Sequence, residues 1–156
     1  MRTGRREFFG ACAAAAAPAA AAGNPVRLGA PVRLKTDDPR ELAREHRRLG
    51  YSAAYCPAVK TGDTAAIREI EKAFAAENVV IAEVGAWRNL LDPDARKRRE
   101  NFRYVAERFA LADAVGARCC VDIAGSYNPV VWYGPHPGNF TREFFDATVE
   151  NVRRLI

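Results

Sequence analysis

The chain has 156 residues, carries 24 Lys and Arg against 19 Asp and Glu for a formal net charge of +5, and contains four cysteines and two histidines. A nucleic-acid binder gathers its cations into a patch interleaved with aromatics. Here the densest run, Arg96-Lys97-Arg98-Arg99, stands early in a helical stretch beside Glu100 and reads as a solvated helix face, so nucleic acid is not expected as a partner.

The first segment, residues 1–22, reads as an address and not as part of the fold. Arg2, Arg5 and Arg6 precede a short, alanine-rich, weakly apolar stretch that ends in small residues, the three-part layout of an export signal. Ala20 and Ala22 allow cleavage before Gly23. A membrane-spanning helix needs about 20 apolar residues; Phe8 to Ala22 is shorter and includes Pro18, so no stable membrane anchor is expected. An amphipathic surface helix would need a polar face, and Gly10 to Ala22 has none. Arg5-Arg6 followed by Glu7-Phe8-Phe9 resembles the twin-arginine signals by which bacteria export folded proteins. That resemblance implies the twin-arginine machinery as a partner and a periplasmic or exported destination. About 134 residues, 23–156, then remain with a charge of about +3, the size of one domain. Cys12 belongs to the signal, and the odd number left, Cys56, Cys119 and Cys120, argues against a disulfide framework. Neighbours on a strand point to opposite faces, so Cys119 and Cys120 do not share one compact metal site. All three read as small buried apolar side chains.

From Pro25 onward short β-rich runs alternate with helical ones. Val26 to Leu34 is a first strand with an irregular end at Gly29 and Pro31. Asp38-Pro39-Arg40-Glu41 opens a helix with an acidic cap, proline at the first position and a glutamate three residues past the cap. Leu42, His46 and Leu49 form its apolar stripe, with His46 read as a packed histidine, and Gly50 stops it. Tyr51 to Cys56 is a second strand. Asp63 caps a second helix that buries Ala66, Ile67, Ile70, Ala73 and Phe74, ending at Asn78. Val79 to Gly85 is a nearly continuous apolar run, the mark of a strand buried on both faces. Asp92-Pro93 repeats the proline opening for a third helix that buries Phe102, Val105, Phe109 and Ala112 and stops at Gly116. Ala117 to Ile123 is the fourth strand, and a last helix runs from near Thr141 to Ile156.

The class is therefore α/β: four strand-then-helix units, which give parallel strands with right-handed crossovers. Two architectures fit. One is a small open parallel sheet; the other is half of a (β/α)8 TIM barrel, whose whole takes about 250 residues.

Val84-Gly85-Ala86-Trp87-Arg88-Asn89-Leu90-Leu91-Asp92-Pro93, the helix containing Ala110 to Ala117, and Gly125-Ser126 after the fourth strand resemble the sugar phosphate isomerase/epimerase family with a xylose isomerase-like barrel. The resemblance spans about residues 26–156 and implies the N-terminal (βα)4 portion of that barrel. It implies, in full-length relatives, a divalent metal (Mn, Mg, Co or Zn) held by acidic and histidine residues on strands five to eight. There the metal assists proton transfer beside a sugar carbonyl. This sequence stops before those strands, so the chain alone is expected to lack the metal and its catalytic residues, and to act with a missing C-terminal half or a second copy. A non-catalytic sugar-binding or half-barrel assembly module is the alternative. A related zinc endonuclease acting on damaged DNA is counted against by the export signal and the weak basicity.

Parallel barrels bind ligands at the carboxyl ends of their strands, which selects the candidate residues. Glu83, sharing a side with Val79 and Ile81, and Asp122, sharing one with Cys120, are placed in the barrel interior near its mouth. There they either bind sugar hydroxyls or assist proton transfer, or are inward charges paired with an arginine. The segment from Ala124 to Asn139 is long for a strand-to-helix loop, where about 2 to 6 residues is usual. It presents Tyr127, Asn128, Trp132, Tyr133 and His136 beside Trp87, a candidate aromatic wall for a small sugar or sugar phosphate. His136, between prolines, reads equally as a polar loop residue. Asn139-Phe140-Thr141 matches a glycosylation pattern only incidentally; Asn139 or Thr141 is expected to cap the last helix.

Overall fold

A computed structural model describes residues 26–156. The expected export segment, residues 1–22 with Arg5 and Arg6, lies outside the described residues. In chain order the elements are α1 (Pro39–Arg48), β1 (Ala53–Tyr55), α2 (Thr64–Ala76), β2 (Val80–Gly85), α3 (Ala95–Ala114) and β3 (Cys119–Val121). A 3-10 turn, Pro137–Phe140, and α4 (Arg142–Leu155) follow. The fold is α/β, a small open three-stranded parallel sheet with four helices.

Helix starts follow local side-chain chemistry. Asp38 caps α1 by accepting the Arg40 N–H at 2.8 Å, with Pro39 at the first position. Glu41 completes the cap indirectly: it accepts the Thr36 hydroxyl at 2.6 Å, and Thr36 Oγ1 in turn accepts the Asp38 N–H. Asp63 caps α2 and Thr141 caps α4, each accepting an amide of the first turn. The third helix departs from expectation. Asp92-Pro93 precedes it, and Asp94 is the cap, accepting from Arg96 and Lys97. Asp92 spends its side chain on the Asp94 N–H in a tight turn, which leaves the capping role to Asp94.

Three helix ends are built alike. Gly50, Asn78 and Gly116 all take a positive φ, and each pair of following amides folds back onto the last turn. Gly50 and Tyr51 donate to Arg47 and His46 carbonyls, Asn78 and Val79 to Ala75 and Phe74, Gly116 and Ala117 to Asp113 and Ala112. This is the Schellman arrangement, and it aims each chain directly into the next strand.

The sheet runs β1-β2-β3, all parallel. The expected strand Val26–Leu34 is reduced to one isolated parallel bridge, Gly29 to Ala53, on the free side of β1. Gly29 weakens a strand and Pro31 has no N–H to give a ladder, while Val26 and Leu28 stay exposed. Four chain segments nonetheless lie side by side in chain order. One face of the sheet, with Ala54, Ile81 and Val84, packs on Ala43 of α1, on Ile67, Ile70 and Phe74 of α2, and on Leu111 of α3 with Val115 just past its end. Fully burying a Phe or Leu side chain stabilises by about 1.5–3 kcal/mol, so this cluster is the main source of stability. The opposite face presents Tyr55, Glu83 and Cys119, and α1, α2 and α3 all pack on the other side.

An irregularity between Ala54 and Tyr55 decides which residues reach that open face. Ala54 pairs with Ile81 but Tyr55 pairs with Glu83, so Ala82 is an extra residue in β2. Alternation then restarts: Val84 is fully buried among the helices, and Glu83 turns to the open face with its partner Cys119. Glu83 therefore does not share a side with Val79 and Ile81 as the simple two-residue period predicts. Cys119 is likewise exposed, not buried. Beyond β3, a smaller cluster of Ala86, Leu90 and Val105, with Phe102 and Leu155 against it, ties α4 to α3.

Candidate functional site

The carboxyl ends of the strands are organised by three side chains that carry no charge. Asn89 and Ser126 are almost wholly buried, 37 residues apart. Asn89 Nδ2 donates to the Ser126 carbonyl at 2.7 Å, and Asn89 Oδ1 accepts the N–H groups of Leu91 and Ser126, both at 2.9 Å. Ser126 Oγ donates to the Gly134 carbonyl at 2.6 Å and accepts from Asn128 N and Asn139 Nδ2, both at 3.0 Å. Asn139 Oδ1 accepts the Tyr127 N–H at 3.0 Å. Asn139 thus braces the loop and leaves α4 to Thr141. Gly125 takes φ +100°, and a Cβ there would collide with Asn89 Oδ1. The loop 124–139 is held by its own polar side chains, which satisfies backbone groups that have no strand partner.

On this frame the candidate residues fall into three separate places. Tyr127 and His136 meet edge to face with ring centroids 6.3 Å apart, and Tyr127 packs likewise on Phe144 at 5.5 Å. His136 Nδ1 accepts the Gly138 N–H at 3.1 Å and caps the 3-10 turn, so its ring braces the loop as well as standing in the wall. Trp132 and Tyr133 pack on each other at the exposed tip of the loop. Trp87, 45% exposed, sits apart, in a cleft of about 370 Å³ with Pro31, Val32, His46, Tyr55 and Cys56. No ring pairing joins Trp87 to the loop aromatics among the described residues.

The carboxylates are also apart in role. Asp122 Oδ1 accepts the Arg88 N–H at 3.0 Å, linking the end of β3 to the loop after β2. Its Oδ2 is sealed from solvent without a partner. Burial pushes the Asp122 carboxyl above the usual range, opposed by the N–H groups of Arg88 and Ile123 and by the Arg88 charge. Arg88 itself lies over the Tyr104 ring at 4.1 Å, so it does not form an ion pair with Asp122. Glu83 lines a hollow with Arg27, Ala30 and Tyr55, and its Oε1 is also sealed and unpartnered among the described residues. Arg27 does not neutralise it; its guanidinium donates to Ser52 and Asn78 instead. Among the described residues no hydrogen bond or arginine ion pair ties Glu83 to Asp122.

A divalent metal needs several oxygen or nitrogen ligands around one point. Among the described residues no three His, Cys, Asp or Glu side chains gather in that way. Glu83, Asp122 and His136 do not fit such an ion between them. The thiols of Cys56 and Cys120 are pushed up by burial, which makes them poor thiolates.

Asn89 and Ser126 escape a reading of the sequence for chemistry, Asn139 braces the loop where a helix cap is one expectation, and His46 is packed as expected. The signal for Asn89 and Ser126 is slight: an asparagine between Arg88 and Leu90-Leu91, and a serine directly after Gly125. Comparison of the chain with family models, with curated proteins and with solved structures finds no match.

Proposed function

We propose that the chain is the N-terminal (βα)4 portion of a xylose isomerase-like barrel, and that it supplies the substrate-side wall of a sugar phosphate isomerase or epimerase. The observation that carries this reading is the strand order. The Gly29 segment, β1, β2 and β3 lie side by side in chain order with α1, α2 and α3 packed on one face. A doubly wound open sheet reverses its order at a switch point; a barrel does not. In the barrel reading the open face is the interior, and Glu83 and Tyr55 point into it. Trp87, Asp122 and the braced loop with Tyr127 and His136 ring the mouth, where apolar ring faces meet sugar C–H groups and polar tips meet hydroxyls.

The chemistry implied for the whole barrel is proton transfer beside a sugar carbonyl, with a divalent metal (Mn, Mg, Co or Zn) supplying charge stabilisation when bound. This chain contributes placement of the sugar and a half-buried carboxylate at the mouth. We propose that Arg5 and Arg6 direct it to the periplasm, and that it works with a C-terminal half or a second copy. The second reading, an assembly module that holds a sugar without turning it over, is favoured by the apolar side chains left exposed on α4, Phe145 and Val152.

The test is proton exchange at the carbon beside the carbonyl, followed by NMR in D₂O over a panel of ketoses, aldoses and their phosphates with each of the four metals. The chain joined to the C-terminal half of a barrel of this family is expected to show metal-dependent exchange, reduced in Asp122→Asn and Trp87→Ala. Exchange of equal rate by the chain alone would show that residues 23–156 hold a complete site and would overturn the reading.

A further inference from the structure

His46 is 3% exposed and sits in the apolar stripe of α1, tilted against Phe74 with ring centroids 5.7 Å apart. A leucine there would pack as well and carry no desolvation cost. The ring does not repay that cost through the protein. Among the described residues its one hydrogen bond joins Nδ1 to the Leu42 carbonyl at 2.8 Å. A carbonyl only accepts, so Nδ1 carries the hydrogen and the neutral ring leaves a lone pair on Nε2. Nε2 has no partner among the described residues. Among the described residues the side-chain atoms sealed from solvent without a partner are Glu83 Oε1 and Asp122 Oδ2; Nε2 is not among them, and His46 lines a cleft with Trp87.

The rest of the cleft suits one kind of occupant. Pro31, Val32 and Leu42 give an apolar floor, and two aromatic side chains, Tyr55 at 44% and Trp87 at 45% exposure, stand free at its rim. The Cys56 thiol is turned to the Pro57 carbonyl at 3.3 Å and offers the cleft no donor. At about 370 Å³ the volume is near the lower end of small-molecule pockets, which run from about 300 to 1,000 Å³. Its place, beyond the last residues of β1 and β2, is where parallel sheets bind ligands.

We infer that His46 Nε2 is the polar anchor of a binding site for one cyclic polyol, a single sugar ring that stacks on Trp87 and donates a hydroxyl hydrogen to the imidazole. The choice of a sugar as the ligand rests on the function proposed above; the site itself rests on the burial, tautomer and cleft.

The test is a titration of the full chain, ¹⁵N-labelled, with a panel of monosaccharides, read in the imidazole and backbone amide resonances. With two histidines in the chain, His46→Phe assigns the His46 ring by the signals it removes. At least one sugar is expected to shift Nε2 of His46 and the Trp87 indole together. His46→Phe should weaken that sugar about tenfold, the usual effect of losing one well-placed hydrogen bond, and His46→Gln, which returns an acceptor near the Nε2 position, should recover part of it. Sugar-induced shifts confined to residues 124–139, or unchanged affinity in His46→Phe, would overturn the anchor and leave the sugar reading standing. No shift anywhere with any sugar would overturn the anchor, while the proposed function stands or falls by the exchange test on the completed barrel.

Discussion

Between Pro39 and Gly85 the helices are fixed to the sheet by apolar contact: Phe74, Ile67 and Ile70 of α2 close over Ala54, Ile81 and Val84. Between Gly125 and Leu155 the chain is fixed differently. The loop hangs on Asn89, Ser126 and Asn139, and α4 buries no residue fully. Apolar packing is tolerant of small shifts and strong in sum. A buried hydrogen-bond network is directional and fails as a unit when one member is removed. The first region is suited to be a scaffold and the second to hold side chains in fixed places.

Phe74→Ala should give the largest effect, about 3–5 kcal/mol of lost stability from a cavity in the main cluster, seen as a lower urea midpoint for the whole domain. Asn89→Ala leaves the Leu91 and Ser126 N–H groups without their acceptor and the Ser126 carbonyl without its donor. A cost of about 2–3 kcal/mol is expected, but with a different signature. Hydrogen exchange should quicken in residues 124–139 while α2 and β2 keep their protection. Equal loss of protection in both regions would mean that the two are one cooperative unit.

Gly116→Ala probes the junction between the scaffold and β3. A Cβ there would meet nothing within 4 Å, so the whole cost is the positive φ of +63°, about 1–2 kcal/mol. Thermal melting of this variant beside Gly50→Ala, at the equivalent junction after α1, should give matching losses.

Asp122→Asn is the mildest change. Asn keeps an oxygen for the Arg88 N–H and removes the buried charge. Because burial raises the folded carboxyl above its unfolded value, the charged form is penalised in the fold at neutral pH. That penalty is relieved as pH falls through the raised folded value and is absent below the unfolded value, about 3.9. Asp122→Asn should therefore be slightly more stable than the parent at pH 7, with the advantage vanishing as the pH approaches 4, in paired urea titrations.

Much of the first region was legible because its signals are local. Asp38-Pro39, Asp63 and the stops at Gly50 and Asn78 each act within one helical turn, and Val79 to Gly85 reads as a strand from its run of apolar residues. That Glu83 turns away from the helices was expected from its charge, but its departure from the side of Val79 and Ile81 was not legible. It depends on the extra residue at Ala82, which exists only in the pairing of β2 with β1. The bracing of the loop was hidden for the same reason: Asn89 and Ser126 meet across 37 residues, and no periodicity marks them. The candidate aromatics were found by loop length and residue type, which place them at the right end of the sheet but do not say which rings share a pocket.

In the proposed half barrel the sheet is one wall of a larger barrel, with an open face built to be covered. Parallel sheets are ordinarily covered on both faces, and the edges along the Gly29 segment and β3, unpaired among the described residues, can template association. Sedimentation velocity of residues 23–156 under reducing conditions, across a wide concentration range, tests this most directly. Concentration-dependent association is expected, weakened by Tyr55→Lys on the open face and unchanged by Arg99→Glu on the outer surface of α3. A single sharp monomer at every concentration, with cooperative thermal melting, would contradict the claim and leave a self-sufficient open sheet.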